Sequence, residues 1–390
     1  MTGPMNAIDV SARRTAFVAE MRATGRLAFP LVLAQVGTMA ISTTDVVMIG
    51  WLGPGALAAA SLAQALFFPL LMFGFGVASA LAPLAAQGVG RRDLHALAAE
   101  VSSLVVILLA IGAVGVGVLL GAEALLGLAR QDETLVVAAG AYLDWAAFAL
   151  PFAYVFMALR HAICAFEQSA IIGRITWAGV LINAAGNWIL MFGLGPIPAY
   201  GLAGAAMATV AVHAGMLALL LVHGLRRRRH RRWMLAALRA PLDPARIRAN
   251  LELGLPIGVT TIAEVLFFAS AAIMAGWISA QALAAHAIAL QLASIAFMLP
   301  LGLSHATAIR VGLGYARGGR RAAALAGWVS FTLGATVMAT TALLFLAIPD
   351  TLVRAFLPPD TSEARDVLAM AAGLLAIAAV FQIVDGLQVT

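Results

Sequence analysis

At 390 residues, with 63% hydrophobic and 11% charged side chains, the chain departs strongly from the soluble balance of about a quarter charged residues. Its formal charge of +6 rests on arginine alone, because no lysine occurs, and it holds a single cysteine, Cys164. A soluble protein is thereby excluded, as are a P-loop or Schiff-base lysine, an internal disulfide and a cysteine-rich metal centre.

Residues 1–25 hold charges at both ends and no apolar stretch of signal-peptide length, so the first spanning helix is expected to act as an uncleaved insertion signal. From there, apolar runs long enough to cross a hydrocarbon core of about 30 Å recur at residues 27–50, 56–82, 97–121, 134–158, 164–193, 199–223, 251–276, 281–308, 322–348 and 364–390. They are continuous rather than alternating, which predicts helices and not barrel strands. Short breaker turns join neighbours on one side, as at Gly53-Pro54-Gly55 and Gly195-Pro196-Ile197-Pro198. A longer turn at 349–366 holds Pro349, Pro358 and Pro359.

The one long polar interruption is the basic run from Arg226 to Arg248. Of the 24 arginines, 21 lie in the N-terminal segment and in alternate loops, including Arg91, Arg92, Arg160, Arg174 and the central run; only Arg130, Arg354 and Arg365 fall elsewhere. That asymmetry predicts a cytoplasmic N-terminus and a cytoplasmic central linker, and it explains the positive charge without a nucleic-acid partner.

Shifting the sequence by 226 positions lays residues 30–91 on 256–317 with 16 identities in 62 pairs. Pro30 meets Pro256, Met48-x-Gly50-Trp51 meets Met274-x-Gly276-Trp277, and Ala56-Leu-Ala-Ala59 meets Ala282-Leu-Ala-Ala285. Two homologous halves are expected. The predicted fold is an all-α polytopic membrane protein of two six-helix lobes with pseudo-twofold symmetry, the second truncated to four helices at Thr390. The N-terminal lobe is expected at 1–225, the basic linker at 226–249 and the C-terminal lobe at 250–390. Lobes so related suit a transporter that rocks about a central cleft.

Acidic residues inside apolar spans are costly and point to function. Three stand out: Asp45, Glu264 and Asp385. Such a carboxylate suits capture of a proton or, with oxygen ligands around it, of sodium; the structural alternative is a carboxyl tied to neighbouring hydroxyls such as Thr43 and Thr44. Asn183 and Asn187, four apart, share a helix face and read equally as interhelical contacts or neutral ion ligands. His213, His286 and His305 read as packed, hydrogen-bonded histidines, and Asp144 and Glu123 as solvated helix ends.

Taken together, the strings around Pro30, Asp45-Val-Val-Met-Ile-Gly50-Trp51, Pro83-Leu-Ala-Ala-Gln87, Asn183-x-x-x-Asn187 and Gly201-Leu-Ala-Gly204 resemble the multidrug and toxic compound extrusion family. Leu253-Gly-Leu-Pro256 with Glu264, Ala285-His-Ala-Ile-Ala-Leu290 and Phe381-Gln-Ile-Val-Asp385 resemble its bacterial multidrug branch. The resemblance implies a twelve-helix, monomeric inner-membrane antiporter that exports cationic amphipathic drugs or toxic organic cations in exchange for Na+ or H+, with no enzyme activity and no cofactor. It assigns Asp45, Asn183, Asn187 and Thr209 to a first polar site. Glu264 and Asp385 become a second cation site, the one where Na+ would bind. Asn187 stands where some members carry a second acid, and Phe381 where sodium-coupled members carry a tyrosine, so the resemblance leaves the coupling ion open. A lipid or lipid-linked glycan flippase and an inactive fragment stand as alternatives.

Overall fold

The computed structural model describes residues 7–128, 132–356 and 362–389, so Arg130, Pro358 and Pro359 lie outside the described residues. Inside a bilayer each backbone N–H and C=O must find its partner within the segment, and the described chain accordingly forms helices almost throughout.

The first half opens with α1 (Ala7–Gly50), which carries Pro30 within it. A turn ending at Gly53, whose φ of 112° requires glycine, leads into α2 (Pro54–Ser79) with proline at its first turn. Through Ala80, itself in helical conformation, α2 continues into α3 (Leu81–Gly90), and the two form one span, Pro54–Gly90. Asp93 then caps α4 (Leu94–Leu120), its carboxylate accepting from the backbone N–H of His95 and Ala96 at 3.0 and 2.9 Å. The short α5 (Ala122–Leu128) precedes α6 (Glu133–Ala146) and α7 (Ala149–Cys164).

The single span expected at 134–158 is thus two helices, bent by 43°. Pro151 supplies a reason: it has no N–H to give and its ring crowds the carbonyl four residues back. Cys164 consequently ends α7 instead of opening the next span. Arg160, grouped from sequence with the loop arginines, is buried in the last turns of α7, at 5% exposure.

The chain continues through α8 (Ser169–Phe192), α9 (Gly201–Arg226), α10 (Arg228–Ala237) and α11 (Pro244–Ile278). The basic linker is therefore largely helical. Next comes α12 (Ala280–Ala347), broken at Gly319, where φ 68° and ψ −159° are open to glycine almost alone. The last helices are α13 (Pro349–Arg354) and α14 (Ser362–Val389). Among the described residues eight helices are long and apolar enough to cross a membrane, or nine if the bent pair is one crossing. Dividing α12 at Gly319 brings the number to the ten expected from sequence.

Helix boundaries follow the 226-residue offset. Prolines 30 and 256 both lie within long helices, α2 and α12 start at Pro54 and Ala280, and the α3–α4 turn at Asp93 corresponds to the break at Gly319.

The helices gather into two compact units. One takes Gly37–Val265 and is cored by Leu104, Leu108, Tyr142, Leu143, Leu150, Tyr154 and Ile163, all less than 2% exposed. Packing there is close enough to require glycine: a Cβ on Gly74 would lie 2.1 Å from the Tyr154 ring, whose hydroxyl donates to the Leu70 carbonyl. The other unit takes the chain up to Val36 with the stretch from Leu266 onward. There α12 and α14 pack through Ala285, Ala289, Leu292, Phe345, Leu375 and Ala379. A paired contact from Arg310 to Glu20, at 2.8 and 2.6 Å, ties α12 to α1.

Candidate functional site

Asp45 lies less than two turns from the C-terminal end of α1, and the 3.6-residue period of α8 sets Asn183 and Asn187 one above the other. All three are buried, Asp45 at 8% exposure and both asparagines at 0%. Each asparagine donates through Nδ2 to the same oxygen, Asp45 Oδ1, at 2.7 Å, and Asn187 Nδ2 also lies 3.5 Å from Asn183 Oδ1. Two amide donors converging on one oxygen hold the carboxyl in a fixed orientation.

The arrangement uses its donors on one side only. Asp45 Oδ2 accepts no hydrogen bond among the described residues, and Asn187 Oδ1 is a buried acceptor without a protein partner. An orphan acceptor of this kind is uncommon in a folded interior. Here it places unsatisfied oxygen beside a carboxylate.

Thr43 and Thr44, the sequence-level candidates to satisfy Asp45, do not do so. Their hydroxyls bond back to the carbonyls of Met39 and Ala40 at 3.0 and 2.8 Å, the usual outlet for a hydroxyl inside a helix.

A second chain of polar groups runs beside the first. Tyr142, fully buried on α6 and near enough to Asp45 to feel its charge, accepts from Gln64 Nε2 at 3.2 Å. The Thr209 side chain, close to the Tyr142 hydroxyl, donates to the Ala205 carbonyl at 3.1 Å. Thr209 is buried near this pair and makes no hydrogen bond to Asp45 among the described residues. Sequence reading passed over Gln64 and Tyr142. One polar side chain in an apolar span was the available signal, and it does not say where the group points. His213 meets the Thr209 carbonyl through Nδ1 at 2.9 Å, as a packed histidine should, whereas His286 Nε2 is buried without a partner.

The expected second site is arranged differently. Glu264 is exposed on α11, with no hydrogen bond among the described residues, and belongs to the same compact unit as Asp45. Asp385, half-buried on α14, belongs to the other unit, where Phe381 one turn before it meets Phe268 edge to face at 6.2 Å.

The MatE family profile matches residues 30–189 and 256–390, stretches that begin at the two repeat-related prolines. The "Probable multidrug resistance protein NorM" of Mesorhizobium japonicum is 38% identical over 397 residues, spanning 98% of this chain and 83% of that protein. The protein of the same name from Rhizobium meliloti is 38% identical over 370 residues, spanning 94% and 79%. The chain belongs to the MatE family. Its fold is that of the family's solved transporters: a mutant form of the Vibrio cholerae MATE transporter VcmN superposes with a TM-score of 0.85 at 16% identity, covering 95% of this chain and 82% of that one. As a MatE protein it is a multi-pass membrane protein and a member of a transporter family, not of an enzyme family. Asp45, Asn183 and Asn187 fall within the first matched stretch, Glu264 and Asp385 within the second, and Thr209 between them.

Proposed function

We propose that this MatE protein is a secondary active efflux antiporter that exports cationic amphipathic drugs in exchange for H+ or Na+ by alternating access. The carrying observation is the buried Asp45 carboxyl, bound on one oxygen by two amides and reached by no donor of the described residues on the other. Two cations can answer that asymmetry. A proton taken up at Oδ2 turns an acceptor into a donor beside the Asn187 amide, whose oxygen lacks one. Sodium would instead collect Oδ2 and neighbouring oxygens as ligands. Either capture removes one unit of negative charge from inside the bilayer, a change of several kcal/mol in what the surrounding helices tolerate. That is enough to bias a two-state equilibrium.

The name of the NorM relatives, probable multidrug resistance protein, supports drugs as the exported class. Glu264 and Asp385 are proposed as the second cation site, and the monomer as the working unit. The arginine asymmetry favours placing the N-terminus and α10 in the cytoplasm of the bacterial inner membrane.

The test is efflux of a fluorescent organic cation from cells lacking other pumps. Asp45→Asn should accumulate dye like cells without the protein while reaching the membrane in normal amount; wild-type efflux from this variant would remove Asp45 from the mechanism. Imposing a sodium jump or a pH jump on proteoliposomes then names the coupling ion.

A further inference from the structure

Six exposed arginines, Arg226 to Arg229 with Arg231 and Arg232, close α9 and open α10. Among the described residues none of the six pairs with a carboxylate, whereas Arg246 meets Glu100, Arg248 meets Glu252 and Arg310 meets Glu20. Nor can the segment relax by swinging away. His230, Trp233 and Met234 are buried beneath it, His230 bonds Gln168 at 3.0 Å, and Arg229 lies 4.7 Å over the Phe166 ring. A docked helix therefore holds uncompensated positive charge in place, and a concentrated charge of one sign draws counter-ions of the other.

Two further observations say which anion fits. A cavity of about 610 Å³ is lined by Arg92, Asp93 and His95 from the α3–α4 turn and by Arg232, Trp233 and Ala236 from α10. The Asp93 carboxylate is occupied there in capping α4. Just beyond the arginines the chain turns apolar and open: Leu235, Leu238 and Leu242 are 43%, 83% and 50% exposed. Leu242 then opens a groove of about 530 Å³ that runs along Ile247, Leu251 and Leu255 of α11. A basic cavity beside an exposed apolar track matches an anionic headgroup with its acyl chain; a nucleic acid would account for the arginines and leave the leucines unexplained.

We propose that this face binds an anionic phospholipid, its phosphate held between Arg92 and Arg232 and its acyl chain lying along Leu238, Leu242 and the start of α11. The site fixes the basic end of α9 and α10 to one leaflet.

The probe is phosphatidylglycerol against phosphatidylcholine, added to the purified protein in neutral detergent and read by native mass spectrometry. Two arginine contacts at the usual strength of such charges near a lipid surface predict about a thirtyfold preference for phosphatidylglycerol in the wild type. Arg92→Gln with Arg232→Gln should abolish it at unchanged thermal stability in detergent, and Arg92→Lys with Arg232→Lys should keep it. If the glutamine pair fails to fold, loss of the wild-type preference in high salt and its reduction in Leu238→Asp carry the test. Asp45→Asn should retain the lipid like the wild type, so a failed efflux mechanism leaves this result unaffected. Equal retention of both lipids, or a folded glutamine pair that keeps the preference, overturns the proposal. So does displacement of the lipid by inorganic phosphate or by an oligonucleotide at matched phosphate concentration.

Discussion

Asp45 was legible because a charge inside an apolar run has few neutral explanations, and Asn183 with Asn187 because four-residue spacing dictates a shared face. That these three meet was not legible, since α1 and α8 are separated by more than a hundred residues and only packing brings Asn183 and Asn187 to one carboxyl oxygen. Thr209 was assigned by resemblance, and in the structure its hydroxyl donates to the Ala205 carbonyl instead of to Asp45. Tyr142→Phe removes one hydroxyl and with it the acceptor of the Gln64 amide. It should destabilise the protein by about 1–3 kcal/mol, because the Gln64 amide loses its buried acceptor. Thermal unfolding reads that loss. An unchanged melting temperature would show that the Tyr142 hydroxyl does not matter to the cluster.

Among the elements, α12 and α10 make the firmest predictions. Gly319 holds a backbone conformation that a side chain strains, so Gly319→Ala should cost about 1–3 kcal/mol. Gly327 lies inside the same helix with nothing near its missing Cβ, so Gly327→Ala should gain about 0.5–1 kcal/mol. Opposite shifts in melting temperature check both, and a stabilising Gly319→Ala would mean that α12 runs straight through. On α10, burial, together with the charges of His223, Arg229 and Arg227, depresses His230 to about 4. The unfolded chain takes a proton near 6.5 and the folded one only near 4, so stability from this group is complete above pH 6.5 and is lost as pH falls toward 4. Unfolding followed between pH 7.5 and 4.5 should show that decline, and His230→Gln should flatten it. The bend between α6 and α7 was not anticipated because an apolar run records length, whereas Pro151 acts through one missing hydrogen bond and one clash.

For the whole molecule, the sharpest prediction concerns sidedness. The two ends of α9 lie about 39 Å apart for its 26 residues, more than a hydrocarbon core, so the α8–α9 turn and the start of α10 must emerge on opposite faces. Cys164 is the only native cysteine and is buried, so Cys164→Ser provides a background for labelling. On it, Leu194→Cys should react with a membrane-impermeant maleimide in intact cells, and Arg228→Cys only after permeabilisation. The reverse pattern would invert the orientation argued from arginine.

Hydrophobic length, arginine asymmetry and the 226-residue repeat are properties of the chain read along its length. They were enough to establish a helical, multi-pass membrane protein and to single out the acids to watch, because the bilayer imposes its requirements segment by segment. Which donors reach Asp45, that Arg160 is buried, that Tyr142 joins the cluster and that α10 docks through His230 and Trp233 were decided by tertiary structure. Those outcomes depend on distances between helices remote in sequence, set by close packing at positions such as Gly74 against Tyr154, and no local pattern records them.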